Sequence, residues 1–265
     1  MNAAAEARLS ELDRATDAHK LSTGLAEELF AVADLLTGHS TLRNALADTT
    51  SSDARRRAMA EAVLAKRAGK ATIAVVAEAA TLRWGTGSRL AAAVERQGLR
   101  VMFGAALAAK KLDSVEEELF RFSRAVAADP DLRAALDNRN APVMVRQQLV
   151  TDLLGKKAEP ITVKLAQRAV ASARRAFERT LDEYLRLAAA TRQRAIATVT
   201  VARPLSEEQQ RRLQEVLIGK LGRSVNLQVV VDPNVLGGAR VKVGDEVIEG
   251  TVVGRLAAAE QQLTQ

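Results

Sequence analysis

The sequence predicts a mainly α-helical protein: two tandem six-helix bundles, duplicates of one another, followed by a small C-terminal α/β domain. Three observations predict this. The 265-residue chain is 48% hydrophobic but only 3% aromatic, so its cores must be built from Ala, Leu and Val, which suits close-packed helices. A shift of 90 residues lays one helical stretch on another. At about Arg194 the apolar spacing changes from steps of three and four to strict alternation. The expected divisions are 1–95, an extra N-terminal helical bundle; 96–193, a second bundle; and 194–265, the α/β domain.

The repeat is ungapped over its clearest part. Glu27-Glu28-Leu29-Phe30 falls on Glu117-Glu118-Leu119-Phe120, Leu42-Arg43 on Leu132-Arg133, and Ala45-Leu46 on Ala135-Leu136. Arg56, Leu64, Thr72 and Ala79 meet Arg146, Leu154, Thr162 and Ala169. Further on the register slips by one, pairing Arg83 with Arg174 and Leu90 with Leu181. In each copy an apolar stripe marks an amphipathic helix: Leu25, Leu29, Val32 and Leu36 in the first, Val115, Leu119, Phe122 and Val126 in the second. Capping and proline signals place the breaks. Ser114 with Glu117 has capping-box spacing, Asp129-Pro130 sets an acid before a first-turn proline, and Pro142 and Pro160 mark further starts. The spacing predicts helices over 5–19, 25–37, 40–47, 53–67, 70–83 and 87–97, then 97–110, 115–128, 130–137, 142–155, 160–174 and 176–191.

Beyond Arg194, the β-branched alternation of Ala195 to Val201 reads as a strand. Ser206 with Gln209 opens a helix whose apolar face is Leu213, Val216, Leu217 and Leu221. Strands follow over 227–231, 238–243 and 246–249, with Gly244-Asp245 between the last two as a hairpin turn. A final helix is expected over 251–263.

Composition excludes several chemistries. There is no cysteine, which removes disulfides, thiol catalysis and thiolate metal sites. His19 and His39 are the only histidines, too few for a zinc site and far from any strand-end serine. No Walker loop is present, and Gly85-Thr86-Gly87 lacks both the third glycine and the preceding strand of a dinucleotide fingerprint. No cofactor or metal is expected. No run approaches the ~20 apolar residues that span a bilayer, and the acid-bearing N-terminus does not read as a secretory signal, so a cytoplasmic protein is expected. The net charge is +7 and lies wholly in residues 96–194, the flanking thirds being neutral. That surplus, with the Val-Lys-Val-Gly-Asp hairpin, motivates one alternative, a basic RNA-associated adaptor. One Trp and one Tyr, Trp84 and Tyr184, leave it no stacking platform, and no nucleic acid is expected as partner.

The tail carries a resemblance. Pro204-Leu205-Ser206, Val229-Val230-Val231-Asp232-Pro233, Leu236-Gly237-Gly238, Val241-Lys242-Val243-Gly244-Asp245, and Gly250 with Gly254-Arg255-Leu256 occur in an order and spacing that closely resemble the C-terminal signature of the delta subunit of F-type ATP synthase. That family includes the mitochondrial oligomycin-sensitivity-conferring protein. Val101-Met102-Phe103-Gly104-Ala105-Ala106-Leu107, then Lys111-Leu112-Asp113-Ser114-Val115-Glu116, looks like the family's first helix and its link to the second. The resemblance covers about 96–263. Glu249 and Thr251 stand where Asp and Ser are usual, a tyrosine common in the first helix is missing, and residues 1–95 are an added copy of the bundle.

The resemblance implies a non-catalytic stator subunit on the cytoplasmic face of the cell membrane, peripheral and held there through its complex. The helical domain would hold N-terminal helices of alpha subunits, and the C-terminal domain the end of the b subunit. A partner helix needs exposed apolar side chains at helical spacing. Position in the family's bundle points to Val101, Phe103 and Leu107, with Leu165, Ala169 and Ala173. If Gly244 takes positive φ in the hairpin, Gly244→Val should cost on the order of 1–2 kcal/mol, read by thermal denaturation; an unchanged melting temperature would refute that backbone assignment.

Overall fold

The computed structural model describes residues 3–172, 176–194, 196–221, 225–233, 235, 237–243 and 246–249. They form two compact units, Met1–Ala188 and Ala189–Gln265. The helices of the first are α1 (Ala3–Asp17), α2 (Thr23–Gly38), α3 (Ser40–Leu46), α4 (Asp53–Leu64), α5 (Lys70–Thr81), α6 (Gly87–Ala108), α7 (Leu112–Ala128), α8 (Pro130–Asp137), α9 (Val143–Leu154) and α10 (Pro160–Ala171), with α11 (Phe177–Arg194) crossing the division at Ala188.

The main departure from expectation is α6. Sequence spacing predicts two helices, over 87–97 and 97–110; the structure has one, 22 residues long. The division expected at residue 95 falls inside it. Within it, Gly98 serves packing. A Cβ there would lie 2.6 Å from the Phe30 ring, and one at Gly104 would lie 2.5 Å from Leu21. Both glycines let the Leu21–Phe30 segment approach the α6 backbone. All eight residues from Gln97 to Gly104 are buried, so this part of α6 is enclosed on every side.

The end of α6 explains a second difference. Lys110 takes φ 58°. The Lys111 amide donates to the Ala106 carbonyl at 2.8 Å and the Lys110 amide to Leu107 at 2.9 Å. This is a Schellman stop with lysine where glycine is common. The next helix therefore starts at Leu112, and Ser114 lies within its first turn instead of capping it. Other caps are as the sequence predicts: Asp129 accepts from the amides of Asp131 and Leu132 at 3.0 Å, with Pro130 and Pro160 opening their helices.

The duplication recurs in the hydrogen bonds. Glu28 accepts from the Gly69 amide at 2.7 Å and the Thr72 hydroxyl at 2.5 Å. Glu118 accepts from the Glu159 amide at 2.9 Å and the Thr162 hydroxyl at 2.5 Å. Each carboxylate satisfies orphan donors at the start of the fifth helix of its copy. Likewise Arg56, 1% exposed, donates to the carbonyls of Ala80 and Thr81, and Arg146 to those of Val170 and Leu136.

Buried charge ties α1 to α6. Arg96 donates to Asp13 at 2.5 and 3.2 Å, Gln97 donates to Asp13 at 2.8 Å, and Arg100 donates to Gln97 at 2.9 Å and to Asp17 at 3.0 Å. Burial alone would raise the Asp13 carboxyl; Arg96, Arg100 and Gln97 outweigh it and hold the group well below the ordinary carboxylate range.

In the second unit, β1 (Ile196–Val201) pairs in parallel with β2 (Asn226–Val231) and antiparallel with β3 (Ala239–Val243), which pairs antiparallel with β4 (Glu246–Glu249). The order is β2-β1-β3-β4. Parallel strands need a crossover, supplied by α12 (Glu207–Leu221). Its start is the expected capping box: the Ser206 amide donates to Gln209 Oε1 at 2.9 Å, and the Gln209 amide to Ser206 Oγ at 3.3 Å. Leu217 packs with Ala197, Val199, Val201, Val241 and Val243. Arg240 and Lys242 point to the exposed side.

The Asp13 carboxyl is depressed in the folded chain, so the unfolded chain binds its proton first as pH falls. Its stabilisation is complete above the unfolded value of about 4 and is lost as pH drops through the folded value. Acid titration of stability should show this loss, and Asp13→Asn should remove that component; identical pH slopes would refute it.

Candidate partner-binding surfaces

Within the first unit the two copies meet along α2, α6 and α10. Arg168 on α10 is the centre of the junction. Its NH1 donates to both Asp34 oxygens at 2.7 Å, its Nε donates to Glu95 at 3.0 Å, and its guanidinium lies 5.0 Å from the centre of the Phe30 ring. Asp34 and Phe30 belong to α2 and Glu95 to α6. Burial opposes the charge on Arg168, but Glu95 and Asp34 reverse the balance and strengthen its hold on the proton. Lys164, one turn earlier, pairs with Glu27 of α2. Tyr184 of α11 is buried nearby. Burial first, then Glu95, pushes its hydroxyl ionisation up, so it stays a neutral packing group.

The expected helix-binding residues lie beneath this junction. Val101, Phe103 and Leu165 are fully buried, Ala169 is 1% exposed, and Leu107 is half-buried against the same core. The resemblance points to these side chains by position in the family's bundle. It does not show that the chain itself covers them, with α2 beside α6 and bridged to α10. Ala173 lies outside the described residues. The signal for the junction was faint: one arginine, Arg168, inside the apolar run Leu165-Ala166-Ala169-Val170.

Of the tail signature, Gly237 and Gly238 have φ 81° and 80°, a conformation that favours glycine. They lead the chain into β3. Leu236, Gly244, Asp245, Gly250, Gly254, Arg255 and Leu256, with the helix expected over 251–263, lie outside the described residues. Val243 pairs with Glu246 across the hairpin.

Among the described residues no group of three or more His, Asp or Glu side chains could hold a metal ion, and no helix is long and apolar enough to cross a membrane. What the surface does offer is apolar side chains on helices, notably Met144, Val145 and Phe120, which are 79%, 59% and 54% exposed. Part of the basic surplus of the middle third is neutralised internally, by Glu27, Asp34 and Glu95 of the first third.

Apolar side chains exposed on helices, in a chain that also carries a small mixed sheet, are the kind of surface by which a protein binds other proteins. The family model of the ATP synthase delta (OSCP) subunit matches residues 100–263, and the chain belongs to that family. The ATP synthase subunit delta of Parafrankia sp. is 40% identical over 242 residues, 91% of this chain and 87% of the relative. That of Streptomyces griseus is 40% identical over 264 residues, 98% and 96% respectively. The added first copy is thus shared with such relatives, while the family model begins within α6. A chain of the cryo-EM structure of the Toxoplasma gondii mitochondrial ATP synthase hexamer is similar at 20% identity and TM-score 0.32, over 63% of this chain and 95% of that one; a likeness this slight informs no geometry. The family's members are structural parts of the synthase stator, not catalytic, and associate with its other subunits.

Replacing Arg168 by Met should cost about 1–3 kcal/mol, because Glu95 and Asp34 lose a charge-assisted partner. Denaturant titration reads this. A cost no larger than that of an exposed-site control would show that the junction is held by apolar packing alone.

Proposed function

We propose that the chain is a peripheral-stalk link in the proton-translocating F-type ATP synthase. The helical unit holds N-terminal helices of alpha subunits at the catalytic head, and the C-terminal unit holds the end of the b subunit. The link resists rotor torque and so couples it to ATP synthesis. The complex keeps the chain peripheral, at the cytoplasmic face of the cell membrane. The match of the family model across both the second helical copy and the C-terminal unit carries this reading.

The burial of Val101, Phe103, Leu165 and Ala169 bears on which copy takes the alpha helix. In the second copy those side chains form the packed floor between α6 and α10. At the shift of 90, Leu165 and Ala169 correspond to Val75 and Ala79, which are fully buried; beside them α1 and α5 carry the half-buried apolar side chains Leu9, Ala71 and Ile73. A helix-in-groove contact needs such anchors within reach. On this reading the first copy supplies the groove and the second copy braces it.

Hydrogen exchange on the full chain tests this, with an alpha N-terminal peptide and with the soluble part of b added separately. Expected is slowed exchange in α1 and α5 with the peptide, and in the C-terminal unit with b. Protection of α6 and α10 instead would return the groove to Val101, Phe103, Leu107, Leu165, Ala169 and Ala173. Binding of neither partner would end the stator reading.

A further inference from the structure

The duplication gives Phe30 a counterpart in Phe120, yet the two have opposite surroundings. Phe30 is 8% exposed, under the Arg168 guanidinium and against Gly98. Phe120 is 54% exposed. Beside it lies a hollow of about 280 Å³ between α7 and α11, lined by Ser123, Arg124, Ala127, Glu178, Arg179 and Asp182. Ala33 and Ser123, which match at the shift of 90, are both buried, at 1% and 8% exposed, so the two copies differ at the ring and at the position one turn on, where an exposed Arg124 stands in place of Asp34. The edge of the face that the first copy buries at Phe30 is thus open in the second at Phe120 and Arg124.

We propose that this α7–α11 face is a docking surface for an amphipathic helix of another subunit, one that lays a small residue on Phe120 and a carboxylate against Arg124. The proposal rests on the membership of the chain in the ATP synthase assembly. The internal junction is the template. There an aromatic ring receives a glycine of one helix and the guanidinium of another, and Asp34 and Glu95 fix that guanidinium. At the matching positions the second copy has Arg124 and, allowing the one-residue slip, Arg186. The charge is reversed while the ring is kept. A guest at this face must therefore present an acid where the internal guest presents Arg168. Glu178 and Asp182 on the other wall of the hollow disfavour an acidic run, so the guest carries one carboxylate among apolar and small residues. An exposed aromatic beside a hollow is the kind of anchor point on which helix docking concentrates.

The chain has no cysteine, so Arg124→Cys and, separately, Phe120→Cys place a single thiol on the face. Each full-length variant is labelled with N-ethylmaleimide, free and after incorporation into the ATP synthase complex. Labelling is expected to slow roughly tenfold or more on incorporation, as for a site that reacts only when the contact opens. Equal rates in the two states overturn the proposal. Slowed labelling in the concentrated free chain would make a second copy of this chain the occupant, and also overturns it. Arg124→Glu should lower incorporation against the wild type while leaving the melting temperature unchanged. If the wild type itself fails to incorporate, the stator reading fails first and this proposal with it.

Discussion

The fold depends on a close approach to one helix. Two glycines, Gly98 and Gly104, remove the side chains that would hold the Leu21–Phe30 segment away from α6. Because that segment sits on α6, the helix can be buried all round over Gln97–Gly104. Because α6 is buried there, it can belong to both copies at once. The polar contacts follow this geometry. Asp13 and Asp17 clamp α1 to it through Arg96, Gln97 and Arg100, and Glu95 reaches Arg168 of α10 from its other flank.

Much of this was legible in the sequence. The shift of 90 residues predicted the equivalence of Glu28 with Glu118 and of Thr72 with Thr162, and the structure uses both pairs in the same way, to hold the start of the fifth helix of each copy. Asp129-Pro130 and Ser206 with Gln209 were readable because a cap is a local device with a fixed spacing. Gly98 was not readable in the same way. A glycine inside a helical pattern marks either a break or a close contact, and only the approach of Phe30 decides between them. Lys110 hid the end of α6, since nothing in a lysine announces positive φ.

The expected helix groove shows a different limit. The resemblance points to Val101, Phe103, Leu165 and Ala169 by position in the family's bundle, and all four are buried. It carries no information on what covers them. In a chain with one helical copy the cover would have to come from outside; here α2 is part of the same chain. The same arrangement accounts for the uneven charge. The surplus of the middle third is measured on the sequence alone, and Lys164 and Arg168 face carboxylates contributed by the neutral first third.

The unbroken course of α6 has a mechanical consequence. Its 22 residues make a strut about 33 Å long at 1.5 Å per residue, and it carries side chains of both copies. Two bundles joined by a loop would swivel about the loop, and a load on one would be absorbed as rotation before it reached the other. Through a shared helix the load passes along continuous backbone hydrogen bonds. The two halves of the duplicated region therefore have no loop at α6 about which to swivel.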